Sequence, residues 1–174
     1  MTITIALDIS SKHVGYSIWR GTELLDYGVI NPPLDAEPHQ KLNYIEGVLH
    51  TLVTEYKVTD ALIEAPLKYF SSGGSSAQTL MLLSNINFGV QHFLQGLKIK
   101  TELIACNTAR SKCGLHFAKG TTAKQKKDIV RSHVLAAYPS LLLPLSSRTG
   151  NYHVTSYDIA DSILLMLSTF GDQS

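Results

Sequence analysis

The sequence predicts an α/β protein, one domain built on a mixed five-stranded sheet flanked by helices. Three observations lead there. The chain opens with three short β-prone runs joined by tight turns, which reads as an antiparallel meander. Beyond them, strands alternate with long helical periodicities, so the longer elements run β-β-β-α-β-α-β-α-α. The 174 residues contain neither an internal repeat nor a linker long enough to divide them, and they suffice for one substantial core spanning 1–174.

Each element has its own reason. Residues 3–9 are an apolar, β-prone run long enough for a buried central strand. Residues 14–19 alternate, and 23–30 follow after a short turn, until Asn31-Pro32-Pro33 ends the meander. Over 36–56, Leu42, Ile45, Val48, Leu49, Leu52, Val53 and Tyr56 recur at about three and four, giving one apolar stripe of a helix. Residues 59–64 make a short buried strand. Residues 65–76 are too rich in Gly and Ser for a packed element. The helix over 77–97 is apolar around more than one face, so it is either central or shared with a second subunit. A strand over 100–105 and a short helix over 107–113 come next. After a loop, a helix over 123–137 stops before Pro139. The last helix runs over 156–169, with Ser156 as its N-cap.

Composition narrows the class. Hydrophobic residues make up 44% of the chain, yet no apolar run reaches the roughly 18 residues of a membrane span. The N-terminus carries no basic n-region or cleavage site. Two cysteines, Cys106 and Cys113, make neither a disulfide framework nor a zinc site, and an intracellular, reducing compartment is the expectation. Charge is uneven. Residues 1–66 hold nine acids and four bases, whereas residues 98–131 hold nine bases and two acids. A block this basic suits a polyanion, or else a solvated helix face.

The acids sit at telling places. Asp8 ends the first apolar strand, and a lone buried carboxylate is costly unless paired or bound to metal. Glu64 closes the apolar run Ala61-Leu62-Ile63. Asp158 and Asp161, three apart, project from one face of the last helix. Taken singly, Glu64 also fits a strand ending at the surface, and Asp158 also fits a charge complementing a helix N-terminus. Together the four suit Mg²⁺, which prefers oxygen ligands. A pair of such ions about 4 Å apart can activate water and stabilise the leaving oxygen of a phosphodiester.

These stretches resemble a known family. Ala6-Leu7-Asp8-Ile9-Ser10-Ser11 with Val14-Gly15-Tyr16-Ser17-Ile18 resembles the first hairpin of RuvC-type Holliday-junction resolvases. Leu62-Ile63-Glu64 resembles their second acidic strand, and Asp158-Ile159-Ala160-Asp161-Ser162-Ile163 their closing Asp-x-x-Asp helix. The likeness covers nearly the whole chain in the right order. Its compactness is closer to phage or viral members, whose site of action would be the host cytoplasm. The resemblance implies an RNase H-like fold, a homodimer through helix 77–97, and Mg²⁺-dependent paired nicking of four-way DNA junctions, with two ions and Mn²⁺ as a substitute. It implies Asp8, Glu64, Asp158 and Asp161 as metal ligands. It also implies Lys126 as a catalytic lysine on the phosphate, and Lys112 as a second such position. Lys68, Tyr69, Phe70, Lys119, Lys124, Lys127 and Arg131 complete the expected DNA contacts. Tyr69 and Phe70 either stack on bases or simply pack. His153, five residues before Asp158, either positions water or phosphate or merely caps. The chain departs from the family at Asp8-Ile9-Ser10, where Asp-Pro-Gly is common, and at Ala65-Pro66 after Glu64.

Other readings use the same residues. A nuclease of the same fold acting on flaps, other branched DNA or RNA–DNA hybrids needs the same acids. An actin-like or sugar-kinase-like ATP-binding module also begins with a strand ending in Asp. It requires two such halves and Gly-rich phosphate loops, and only Gly73-Gly74 is present. A non-catalytic junction-binding protein keeps the basic block but has no need of four acids.

Overall fold

A computed structural model describes residues 2–10, 12–66 and 77–170. The elements are β1 (Ile3–Ile9), β2 (Val14–Arg20), β3 (Glu23–Ile30), α1 (Pro38–Tyr56), β4 (Asp60–Glu64), α2 (Ala77–Gly96), β5 (Lys100–Ile104), α3 (Cys106–Lys112), α4 (Ala123–Ala137) and α5 (Thr155–Phe170). They form one five-stranded sheet in the order β3-β2-β1-β4-β5. The β1, β2 and β3 meander is antiparallel, while β4 runs parallel to β1 and β5 parallel to β4. The mixed sheet expected from the sequence is therefore present, with α1 and α2 as crossovers.

Strand β1 is central and buried along its whole length because both faces of the sheet are covered. Alternation divides its side chains. Ile3, Ile5, Leu7 and Ile9 join Ile45, Leu49 and Leu52 of α1 and Ile86, Val90 and Leu94 of α2 in one core. Ala6, with Trp19 and Leu62, faces a second core made by α3, α4 and the apolar length of α5. Trp19 is fully buried there, its Nε1 donating to Ser17 Oγ at 2.9 Å and its ring edge-on to Tyr138 and Phe170. Asp8 lies on this second face, at the end of β1 nearest the β1–β2 turn.

Local chemistry sets the boundaries. The β1–β2 turn is closed by Ser10, whose amide donates to the His13 carbonyl at 2.9 Å and whose Oγ accepts from the His13 amide at 3.0 Å. Helix α1 starts at Pro38 rather than 36, because the Gln40 side chain accepts from the Glu37 amide at 3.0 Å and Pro38 needs no donor in the first turn. Helix α4 is entered through a reciprocal cap between Thr122 and Gln125. Ser156 is not a cap, contrary to the sequence expectation: α5 begins at Thr155, and Ser156 is buried inside the helix. Helix α2 buries Ile86, Asn87, Val90 and Leu94 but leaves Met81 66% and Phe88 70% exposed. Among the described residues, no helix is long and apolar enough to cross a membrane.

Candidate active site

The sheet brings three of its own features to one edge. Asp8 is opposite Gly15 in the β1–β2 register. In the parallel β1–β4 register Leu7 is opposite Ile63, so Asp8 and Glu64 end neighbouring strands side by side. Gly15 then admits the helix. A Cβ at that position would collide with the Asp158 backbone carbonyl, so only glycine lets α5 lie this close to β2. That approach delivers Asp158, and Asp161 one turn on, to the edge where Asp8 and Glu64 end. Asp8, Asp158 and Asp161 are buried and Glu64 is half-buried.

Glu64 is fixed from behind. The buried Asn87 of α2 donates from Nδ2 to the Glu64 carbonyl at 3.0 Å, and Gln91 Nε2 donates to Asn87 Oδ1 at 2.6 Å. The Ala65 amide donates to the Ile104 carbonyl at 2.9 Å. Beyond Pro66 the chain enters 67–76, so the expected DNA contacts of Lys68, Tyr69 and Phe70 lie outside the described residues.

Among the described residues, Lys127 and Arg110 face the acids. Lys127 Nζ is 3.9 Å from Asp158 Oδ1 and 4.0 Å from Asp161 Oδ2. Arg110 Nη2 is 3.8 Å from Asp161 Oδ1. All three contacts are longer than hydrogen bonds. Arg110 Nε and Asp161 Oδ1 are buried without a hydrogen-bond partner. Among the described residues, Lys127 and Arg110 are fewer than the four carboxylates they face, and the titration behaviour follows. Burial, then the charges of Glu64, Asp161 and Asp158, holds the Asp8 carboxyl well above the usual range, opposed by Lys127. Burial and Asp161 push Glu64 from 4.5 to about 7, with Arg110 and Lys127 pulling the other way. Burial also raises Asp158, against Lys127 and His13, and Asp161, against Lys127 and Arg110. For Lys127 itself, burial lowers the pKa, but the four acids outweigh it and the net direction is up.

This donor set is chemically suited to a hard divalent cation: four carboxylates and, among the described residues, one buried carboxylate oxygen, Asp161 Oδ1, with no hydrogen-bond partner. As the side chains stand, the ammonium of Lys127 occupies their attention. Among the described residues, no group of three or more His, Cys, Asp or Glu side chains is arranged to hold a metal ion.

The basic residues divide. Lys126, the expected catalytic lysine, has its Nζ 5.6 Å from the centre of the Phe117 ring, over which the Arg110 guanidinium also lies at 5.7 Å. Its neighbour Lys127 forms ion pairs with Asp158 and Asp161. The signal was readable: Lys127 falls three and seven residues before Val130 and Val134, the buried positions of α4. Arg110 was not singled out from the sequence. It shares a face of α3 with Cys106 and Cys113 and follows the buried Ala109. Arg131 is drawn inward, its side chain 14% exposed, donating to Asp128 Oδ1 at 2.7 Å and Ser156 Oγ at 3.2 Å. Lys112, Lys119 and Lys124 line the exposed surface of the same region. His153 is exposed, and its Nδ1 pairs with Thr155 Oγ1 at 2.8 Å where α5 begins. Cys106 and Cys113 are free thiols, and burial pushes both up, so they stay protonated.

No family model matches the sequence, and no curated protein matches it. Solved structures do share its fold. Thermus thermophilus RuvC in complex with Holliday junction substrate superposes with a TM-score of 0.69 over 98% of this chain and 94% of that one, at 10% identity. A second Thermus thermophilus RuvC structure gives 0.65 over the same shares, at 13% identity. The yeast mitochondrial Holliday junction resolvase Ydc2 gives 0.56 over 97% of this chain and 77% of that one, at 12% identity. At such identities the likeness is one of fold, and the chain has the RNase H-like fold that these structures share.

Proposed function

We propose that this protein is a divalent-metal-dependent endonuclease that resolves four-way DNA junctions by paired nicking. The observation carrying the proposal is the meeting of Asp8, Glu64, Asp158 and Asp161 at one end of the sheet, where, among the described residues, they outnumber the cations Lys127 and Arg110. A bound Mg²⁺ or Mn²⁺, one ion or a pair, would be held by these four carboxylates and supplies positive charge against the phosphodiester oxygens. The protein's own side chains do the rest. Asp8 and Glu64, on rigid neighbouring strands, fix where the scissile phosphate is received. Arg110 neutralises Asp161 from the α3 side. Lys127, in reach of both helix acids, turns its ammonium to a non-bridging phosphate oxygen when the strand arrives. Water attacks phosphorus in line and releases a proton to solvent as the new P–O bond forms, the bond to the 3′ oxygen breaks, and that oxygen takes a proton from solvent. The products are a 5′-phosphate and a 3′-hydroxyl.

Lys112, Lys119 and Lys124 give sequence-independent phosphate contacts, so affinity should fall steeply with salt. A junction has two-fold symmetry, which a homodimer matches with two sites. The exposed Met81 and Phe88 of α2 give an apolar surface for that pairing. The substrate class is tested by offering a four-way junction, duplex DNA, a flap and an RNA–DNA hybrid in parallel with Mg²⁺. Preferential cleavage of the junction supports the proposal. Preferential cleavage of flap or hybrid keeps a nuclease but reassigns its substrate.

A further inference from the structure

The helices α4 and α5 are locked by two adjacent pairs of residues, Lys127-Asp128 and Tyr157-Asp158, engaged crosswise. Lys127 reaches Asp158, and Tyr157 Oη donates to Asp128 Oδ1 at 2.7 Å. Arg131 Nη2 donates to the same oxygen at 2.7 Å. The Arg131 guanidinium lies 4.6 Å from the centre of the Tyr157 ring and 4.5 Å from that of Tyr152, so the tyrosine is held at its hydroxyl and over its ring. Lys127 Nζ lies over the same Tyr157 ring, 5.5 Å from its centre.

A lysine ammonium on a four-carbon stem is costly to hold in one place. The carboxylates alone do not hold it, because both lie beyond hydrogen-bond distance. A fixed aromatic face supplies the missing point of attachment through cation–π attraction. We propose that Tyr157 is a positioning residue: anchored by Asp128 and Arg131, its ring aims the Lys127 ammonium at the edge where Asp158 and Asp161 meet the scissile phosphate. The phosphate part of this inference rests on the nuclease reading above, whereas the aiming of Lys127 does not.

Two measurements on the full chain separate them. The first needs no substrate. The DNA-free protein is acetylated briefly with a water-soluble acylating reagent, and the labelling of Lys127 relative to Lys126 is read by mass spectrometry. In Tyr157→Leu the ratio should rise several-fold as the ammonium is released. In Tyr157→Phe, which keeps the ring and its Arg131 contact but loses the bond to Asp128, it should rise clearly less than in Tyr157→Leu. The second is single-turnover cleavage of a four-way junction. Tyr157→Leu should slow the step roughly 10–100-fold, the loss usual for outer-shell partners of a site. Junction affinity in chelator should be unchanged, and Tyr157→Phe, which keeps the ring and its Arg131 contact but loses the hydroxyl anchor on Asp128, should recover most of the rate. In a Lys127→Met background, Tyr157→Leu should add nothing. If Tyr157→Leu lacks a cooperative melt, Tyr157→Met replaces it, filling the space without a π face. An unchanged labelling ratio, or losses that add in the double variant, overturns the inference. A wild-type protein that cuts no DNA overturns the nuclease reading, and the labelling ratio then decides the aiming of Lys127 alone.

Discussion

Glu64 shows most plainly what the cluster costs the protein. Its carboxyl moves from 4.5 to about 7 because burial and Asp161 disfavour its charge. A carboxyl raised in this way binds its proton more tightly in the folded state than in the unfolded one. As pH rises from about 4.5 to 7 the unfolded chain loses its proton first, so stability falls across that window and levels off above it. At about 1.4 kcal/mol per pH unit, the loss is on the order of 3–4 kcal/mol at most. Thermal melts of the chelated protein should therefore shift downward from pH 5 to 7.5, and Glu64→Gln should flatten that slope. Saturating Mg²⁺ at pH 7.5 should recover the lost melting temperature through binding to the folded state. A chelated protein equally stable at both pH values would mean that the acids are not crowded. The four acids themselves were legible in the sequence, because each carboxylate stands at the edge of an apolar element and needs a reason to be there. The approach of Lys127 to the acids was legible in principle, through the phase of α4 against Val130 and Val134. Arg110 and Asn87 were not, since nothing local distinguishes them until α3 and α2 are placed.

At the scale of elements, the decisive contact is α5 on β2. Gly15 has no special backbone angle; it is required because the Asp158 carbonyl occupies the space of a Cβ. Gly15→Ala should lift the start of α5, costing about 1–3 kcal/mol as an overpacked site, and should move Asp158 away from Asp8. Chemical denaturation would report the first effect and metal-dependent cleavage the second. A variant with unchanged stability and activity would mean that α5 can slide without consequence. Strands and long helices were readable from periodicity, and the ends were readable only where a cap was spelled out. Thr122 and Gln125 mark the start of α4, while Ser156 misled because a serine before an apolar helix resembles a cap. Its hydroxyl instead accepts from Arg131, a long-range partner that no local pattern announces.

For the whole molecule, the sheet order explains why the site exists. Placing β1 between β2 and β4 brings Asp8 beside Glu64 on one side and Gly15 on the other. The mixed sheet could be inferred from the alternation of strands and helices, but the registry that aligns these three residues belongs to long-range pairing. The apolar exposure of α2 makes a further expectation at this scale. The wild-type protein should sediment as a dimer, and Phe88→Glu, at a position 70% exposed, should give a monomer with an unchanged melt. Such a monomer should nick one strand of a junction at a time. A wild-type monomer would remove α2 as the dimer interface.

The most direct test of the carboxylate centre is cleavage of a mobile four-way junction with each strand labelled in turn. Wild type and Asp8→Asn are run side by side, in Mg²⁺ and in chelator. Symmetric nicks on two opposing strands are expected from the wild type in Mg²⁺ alone. Asp8→Asn should bind the junction as tightly and leave it intact. Nicks that persist in Asp8→Asn, or a wild type that binds the junction tightly and never cuts it, would contradict the assignment of these four acids as the working site.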